Sequence, residues 1–378
     1  MDIKRIQKLF FERKAAGMKW SKQHKRELTV AAVAIASLFV VAFVAYSLFA
    51  PSNDDGGNQV DNQTDTSTLV FRHPLTGQIL DWTGGAVPNG PMALPFVYGV
   101  MIENSAEAWP LVGLDQAFLV IEAPVEANIP RFIAFFSDDQ DVDKIGPVRS
   151  ARPYYLDWNA EFNAVYGHVG GSPEALDLLR SYGTYDLNEF YQGEYFYRQN
   201  GTRYAPHNVY TNSEELTQAT EELIKVYEIV EGDIDYGVWT FADDKPTTGT
   251  PISFDLDWSE GATYDIAWEY DVTKNAYVRN QKATSYFLEN NADAIANNVV
   301  VIETTVTVVD AMGRRHLRTI GEGNAILFQN GNAIDATWKK SSKADRLRFY
   351  DANGDEITMN AGTTWIEVVD DLGKVTRR

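Results

Sequence analysis

The sequence predicts an α/β (α+β) unit followed by a smaller, mostly antiparallel β unit, both extracytoplasmic behind one transmembrane helix. Three observations predict it. A long uncharged apolar run follows a basic leader. Short apolar runs then alternate with capped helical segments. From about Gly237 the texture changes to β-rich runs joined by Asn-Gly turns.

The apolar run is Thr29–Ala50, 22 residues without a charge. At about 1.5 Å per residue such a helix crosses the ~30 Å hydrocarbon core. Its 28-residue leader is long for a cleaved signal peptide, and Pro51 directly follows Ala50, so an uncleaved anchor is expected. Residues 1–28 take nine of the 33 Lys/Arg and three of the 53 Asp/Glu, so the remainder is net −26. Positive flanks stay cytoplasmic, which places the acidic bulk outside. Such a bulk repels phosphate backbones, so nucleic acid is excluded as a partner. The membrane, reached through the N-terminal helix, is the first partner expected.

There is no cysteine, which excludes disulfides, thiol catalysis and a lipid-modified cysteine. Residues 51–68 hold almost no apolar side chain and read as a disordered stalk. Residues 69–232 form the α/β unit. Phe96–Ile102, Ala117–Ile121, Arg131–Phe136 and Ala164–Val169 read as strands. Ser172-Pro173-Glu174 caps a helix that ends at Gly183, and Asn212 starts another running to about Val230. Residues 237–372 form the β-rich unit. There Thr273-Lys274-Asn275 separates two strands, Val299–Val309 reads as one long strand, and Asn330-Gly331 and Asn353-Gly354 mark hairpins.

The candidate site lies near the middle of the chain. His168 ends a strand, and Gly170, Gly171 and Ser172 lead into a helix whose free amides and dipole favour an anion. A plain turn is the alternative for the same residues. Arg149 and Arg152 fork onto phosphate or carboxylate oxygens. A helix after Pro147 would put both on one face, and internal salt bridges are the competing reading. Glu122 and Glu126 form an acid pair interrupted by Pro124, with pairing to Arg131 as the structural reading. Arg203, His207 and Asn208 form the third polar knot. Five histidines without HxH or HxxxH spacing argue against zinc. Asp139, Asp141 and Asp143 alternate as in a calcium loop, but Lys144 stands where its glycine belongs. No GxSxG elbow accompanies Ser172. No cofactor and no metal are expected, and no catalytic base is singled out.

Several uncommon strings occur in order: VMIEN (100–104), GLDQAFLVIEAPVE (113–126), IGPVRSARPYY (145–155), His168 with GGSPEAL (170–176), and Pro206-His207-Asn208 with Tyr210. TWKK (337–340), YDANGDEI (350–357) and GTTWIEV (362–368) follow. Over residues 69–370 the chain resembles the YerB-like family of bacterial lipoproteins, a domain without an assigned function. The resemblance implies architecture and candidate residues, not a reaction. Here a transmembrane helix replaces the family's lipid-anchor cysteine, Trp109 stands where Arg is common, and Ala127, Asn128 and Pro130 replace Gly-Gly-Ile-Thr.

Three functions follow as expectations. The first is a module that binds an anionic cell-envelope ligand, such as a phosphorylated glycan, wall polymer or peptidoglycan fragment. The second is an envelope glycopolymer or phosphoglycosyl transferase-like enzyme, by analogy with the LytR-CpsA-Psr type. That enzyme would need Mg²⁺ on carboxylates such as Asp157 or Glu126. The third is a scaffold for another envelope protein.

Overall fold

The computed structural model describes residues 72–80, 94–201, 203–229, 235–258 and 262–378. The leader, apolar run and stalk expected over residues 1–68 lie outside them. Among the described residues no helix is long and apolar enough to cross a membrane.

The apolar runs become β1 (Val97–Ile102), β2 (Leu119–Pro124) and β3 (Pro130–Ser137), buried along their whole length. β4 (Val165–His168) and β5 (Tyr185–Asn188) pair in parallel beyond β1. The capping signals act as read. Ser172 Oγ accepts from the Ala175 amide at the start of Pro173–Tyr182, and left-handed Gly183 ends that helix. Asn212 caps Ser213–Tyr227 by accepting from the Glu215 amide. In chain order the helices are α1 (Pro153–Asn159), α2 (Pro173–Tyr182) and α3 (Ser213–Tyr227).

The second half adds β6 (Phe254–Leu256), β7 (Ile266–Asp271), β8 (Ala276–Gln281), β9 (Ala294–Ala296) and β10 (Asn298–Glu303). Then come β11 (Gly321–Gln329), β12 (Asn332–Lys340), β13 (Arg348–Tyr350), β14 (Thr364–Val369) and β15 (Val375–Arg377). The Asn330-Gly331 turn joins β11 to β12 with both residues left-handed. Val299–Val309 is not one strand. β10 stops at Glu303, and Val306–Val308 pairs instead with Arg315–Leu317. At Asn353-Gly354 the chain returns only as far as a bridge from Tyr350 to Glu356. The turn is tied instead by Asp351 Oδ1, which accepts the Asn353 and Asp355 amides.

Five strands from each half share one ten-stranded sheet, in the order β13-β12-β11-β10-β14-β2-β3-β1-β4-β5. The junction is parallel: β14 runs beside β2 from Leu119 opposite Thr364 to Glu122 opposite Glu367. The second sheet is smaller and antiparallel, in the order β9-β8-β7-β6-β15. It covers one face of the large sheet, where Trp268 meets Trp365 edge-on at 5.4 Å and Phe254 stacks on Phe328 at 3.8 Å. Tyr155 and Trp158 of α1 and Leu179 of α2 pack with Met101, Ile121 and Ile133 on the opposite face.

One polar group lies at the centre of this packing. Glu122 and Glu367, neighbours on β2 and β14, are fully buried, as is Arg279 of β8 above them. Arg279 Nη2 donates to both Glu122 oxygens at 3.1 and 3.0 Å, and Trp268 Nε1 donates to Glu367 at 3.0 Å. The guanidinium lies 4.3 Å from the Phe287 ring centre. Burial pushes both carboxyls up, and the charge of Glu122 lifts Glu367 further. Two carboxyls facing one guanidinium therefore retain a proton between them.

Removing the guanidinium strands this pair, so Arg279→Ala should cost about 3–5 kcal/mol in urea denaturation. Because the folded Glu367 carboxyl binds a proton that the unfolded chain has released, its contribution falls as pH rises above the ordinary value of 4.5. Glu367→Gln should therefore gain stability relative to wild type as pH rises from 5 toward 8, read as the difference between two urea midpoints.

Candidate functional site

The segment after Pro147 is extended, not helical. Val148 bridges Ile102, Ala151 bridges Gly171, and helix α1 begins only at Pro153, with Arg152 as its N-cap. The cause is pairing along both edges: Arg149 N donates to Met101 O, and Val169 N to Arg149 O. Arg149 and Arg152 therefore do not share a helix face, and each reaches a different carboxylate.

Arg149 Nε donates to Glu103 Oε1 at 3.0 Å. Arg152 forks onto Glu126, with Nε to Oε1 at 2.7 Å and Nη2 to Oε2 at 2.8 Å. Burial pushes Glu126 up, but the bond and charge of Arg152 outweigh it and hold Glu126 below its ordinary range. Arg131 is different. It is 7% exposed, and among the described residues its side chain makes one hydrogen bond, from Nη1 to Ser150 O at 2.9 Å. Among the described residues no carboxylate forms an ion pair with it. It helps lower Glu126, but without contact. Burial first, then repulsion from Arg152 and Arg149, pushes Arg131 down to about 10. Three guanidiniums thus gather around two carboxylates, an excess of one positive charge, with Arg149 and Arg152 still partly open to solvent.

The glycine corner adjoins this cluster, but its Gly170 amide and both polar groups of Ser172 are engaged. Gly170 N donates to Asn188 Oδ1 at 3.0 Å, Ser172 N to Ala151 O at 3.3 Å, and Ser172 Oγ caps the helix. Gly170 is left-handed at φ 58°, where a Cβ would strike Phe190. At Gly171 a Cβ would press on Ala151 at 3.1 Å. His168 is fully buried, with Nδ1 facing Gly170 O at 2.7 Å and Nε2 facing Asp186 Oδ1 at 2.8 Å. Both ring nitrogens face acceptors, so His168 clasps the turn and presents no free nitrogen.

His207 is placed otherwise. Its Nδ1 lies 2.9 Å from Glu103 Oε2, and Ser105 Oγ donates to Glu103 Oε1 at 3.0 Å. The carboxylate fixes the tautomer with the proton on Nδ1, which leaves Nε2 as an acceptor on a partly exposed ring. Glu103 thus joins Arg149 to His207. Asn208, next in sequence, is buried and internal: it accepts from Arg198 and donates to Asn200. Arg203 donates to Pro110 O and to the Tyr210 hydroxyl, and lies 3.6 Å from Glu289. It lines a cleft of about 550 Å³ with Trp109, Tyr210, Tyr286 and Glu289.

Glu122 belongs to the buried group with Arg279, so Glu122 and Glu126 do not form an acid–base pair across a cleft. Asp157 accepts from the Tyr182 and Thr319 hydroxyls, and Glu126 is held by Arg152. Among the described residues no three His, Asp or Glu side chains gather as a metal set. Sequence reading missed Glu103, Arg279 and Glu289. Glu103 had a signal, since it is the acid that directly ends a fully apolar strand; the other two had none.

With this geometry in place, family models for the N- and C-terminal domains of "Protein of unknown function (DUF3048)" match residues 83–226 and 254–366. The chain belongs to that family. It is similar, at 29% identity over 318 residues, to the protein named "Putative lipoprotein YerB" of Bacillus subtilis (strain 168), covering 83% of this chain and 90% of that one. The crystal structure of YerB protein from Bacillus subtilis matches with a TM-score of 0.69 and 26% identity, over 82% of this chain and 99% of that one.

His168→Ala leaves a buried carbonyl and Asp186 without their donor. It should cost about 1–3 kcal/mol in urea denaturation, while ligand affinity of the protein that remains folded is unchanged.

Proposed function

We propose that the chain is a membrane-anchored extracytoplasmic module that binds an anionic envelope ligand, a phosphorylated glycan or wall polymer, at Arg131, Arg149 and Arg152. The observation that carries this reading is Arg131, a buried guanidinium without a carboxylate beside two others already partly open to solvent. An uncompensated buried cation is costly, and a ligand anion is the partner that would relieve it. The ion pairs to Glu103 and Glu126 hold the outer two arginines in position and leave donors free, since Arg149 uses only Nε. The Gly170 and Ser172 amides, engaged internally, are not part of the proposed cradle. Glu103 and His207 favour the transferase reading in one respect, because a carboxylate-oriented imidazole can carry a proton. Release of undecaprenyl phosphate from a lipid-linked glycan would select it.

The attachment reading rests on Thr29–Ala50 and on the relative whose name calls it a lipoprotein. Without a cysteine the apolar helix is the means of attachment. Deleting residues 29–50 should move the protein from the membrane fraction to the soluble fraction on ultracentrifugation.

Binding is tested with the full chain in detergent, by melting followed through tryptophan fluorescence with inorganic pyrophosphate. The melting temperature should rise at low salt and less at high salt. Arg149→Gln and Arg152→Gln, melting normally on their own, should each weaken the apparent affinity about tenfold. No rise at low salt, or an equal rise in both variants, overturns the proposal.

A further inference from the structure

We infer that the cleft beside the basic cluster is a second site, and that it takes an oligosaccharide through its uncharged sugar rings. This deepens the envelope-ligand reading and rests on it for the source of the glycan. The site itself is separate and has its own test.

The cleft holds about 550 Å³, within the range of small-ligand sites. Trp109 and Tyr286 give it open aromatic surface, while Tyr210 is 1% exposed with Lys144 Nζ 4.4 Å from its ring centre. Trp109 is fixed by its Nε1 donating to buried Asn104 at 2.8 Å and by edge contacts to Tyr264 and Phe287. Tyr210 is fixed by Arg203 and by Tyr197, stacked on it at 5.9 Å. Tyr286 stands at the rim, 64% exposed. The held Trp109 ring presents a flat face to the C–H face of a pyranose, and burying its apolar area costs little conformational entropy.

The charges inside the cleft are cancelled. Lys144 Nζ reaches both oxygens of Glu289 at 2.9 Å, and Arg203 adds to that ion pair while its own donors serve Pro110 and Tyr210. Glu107, which also lines the cleft, balances the second cation, so no net charge remains there to recruit an ion, unlike the cluster around Arg131. What remains unengaged is a set of planar amides. The side chains of Gln199, Asn290 and Asn291 line the cleft and have no hydrogen-bond partner among the described residues. An amide offers a donor pair and an acceptor side by side, the pattern that two adjacent sugar hydroxyls fill. A fixed ring with free amides and no net charge describes a neutral polyhydroxylated ligand.

The cleft also connects to the anion cluster. The loop 199–208 sends Gln199 and Arg203 into the cleft and His207 onto Glu103, which holds Arg149. A glycan bearing a phosphate could therefore put its rings in the cleft and its charge on the arginines.

The test uses chitotetraose and maltotetraose, both uncharged, titrated calorimetrically into the full chain in a detergent without a sugar headgroup. At least one should bind. Tyr286→Ala and Gln199→Ala, both at exposed positions and expected to melt as wild type, should each weaken binding about tenfold. Arg149→Gln should leave it unchanged. Binding of neither sugar, or equal binding by wild type and both cleft variants, overturns the inference even if pyrophosphate still raises the melting temperature. Loss of pyrophosphate binding with sugar binding intact overturns the anion site instead.

Discussion

Two carboxyl groups set side by side in the middle of a sheet, under a single guanidinium, constrain the whole molecule. Burying Glu122, Glu367 and Arg279 costs desolvation of three ionisable groups, which only tight geometry offsets. That geometry needs three separate stretches of chain at once. β2 must lie beside β14 in one register, and β8 of the second sheet must cross above them. A slip of one residue along β14 would turn Glu367 to the opposite face, away from Arg279. The aromatic shell of Phe132, Phe287, Trp268 and Trp365 excludes water and makes each of these requirements stricter. The sheet-on-sheet layering is the arrangement that satisfies them.

The basic cluster follows the opposite logic. Arg149 and Arg152 lie on the segment that pairs beside the ends of β1 and β4, and Arg131 stands at the start of β3, near the strand ends where ligands bind in mixed α/β sheets. There the acids do not balance the bases. Glu103 and Glu126 orient two guanidiniums, and Arg131 is left over. In a chain of net charge −20 a local positive surplus is a costly arrangement. At the sheet centre, in contrast, Arg279 meets Glu122 with both carboxylate oxygens engaged.

What was legible in the sequence was local. Ser172, Pro173 and Gly183 delimit a helix by backbone chemistry alone, and Asn330-Gly331 closes its hairpin by favouring left-handed φ. What was not legible was partnership. Nothing within GTTWIEV says that Glu367 will face a residue in the first half, and nothing in AYVRNQ marks Arg279 as buried. The arginine segment misled for the same reason. Its spacing of three allows a helical face, but edge pairing with Ile102 and Gly171 holds it extended. His168 misled through its position at a strand end, since only the fold reveals that both its nitrogens are occupied.

The parallel seam between β2 and β14 has a consequence for biogenesis. During synthesis β2 emerges early, and its long apolar edge meets β14 only when nearly the whole chain has been made. Until then that edge is an open template for other strands, and closing it requires an entropically expensive contact over great sequence distance. The two family segments are therefore one folding unit interrupted by a wait.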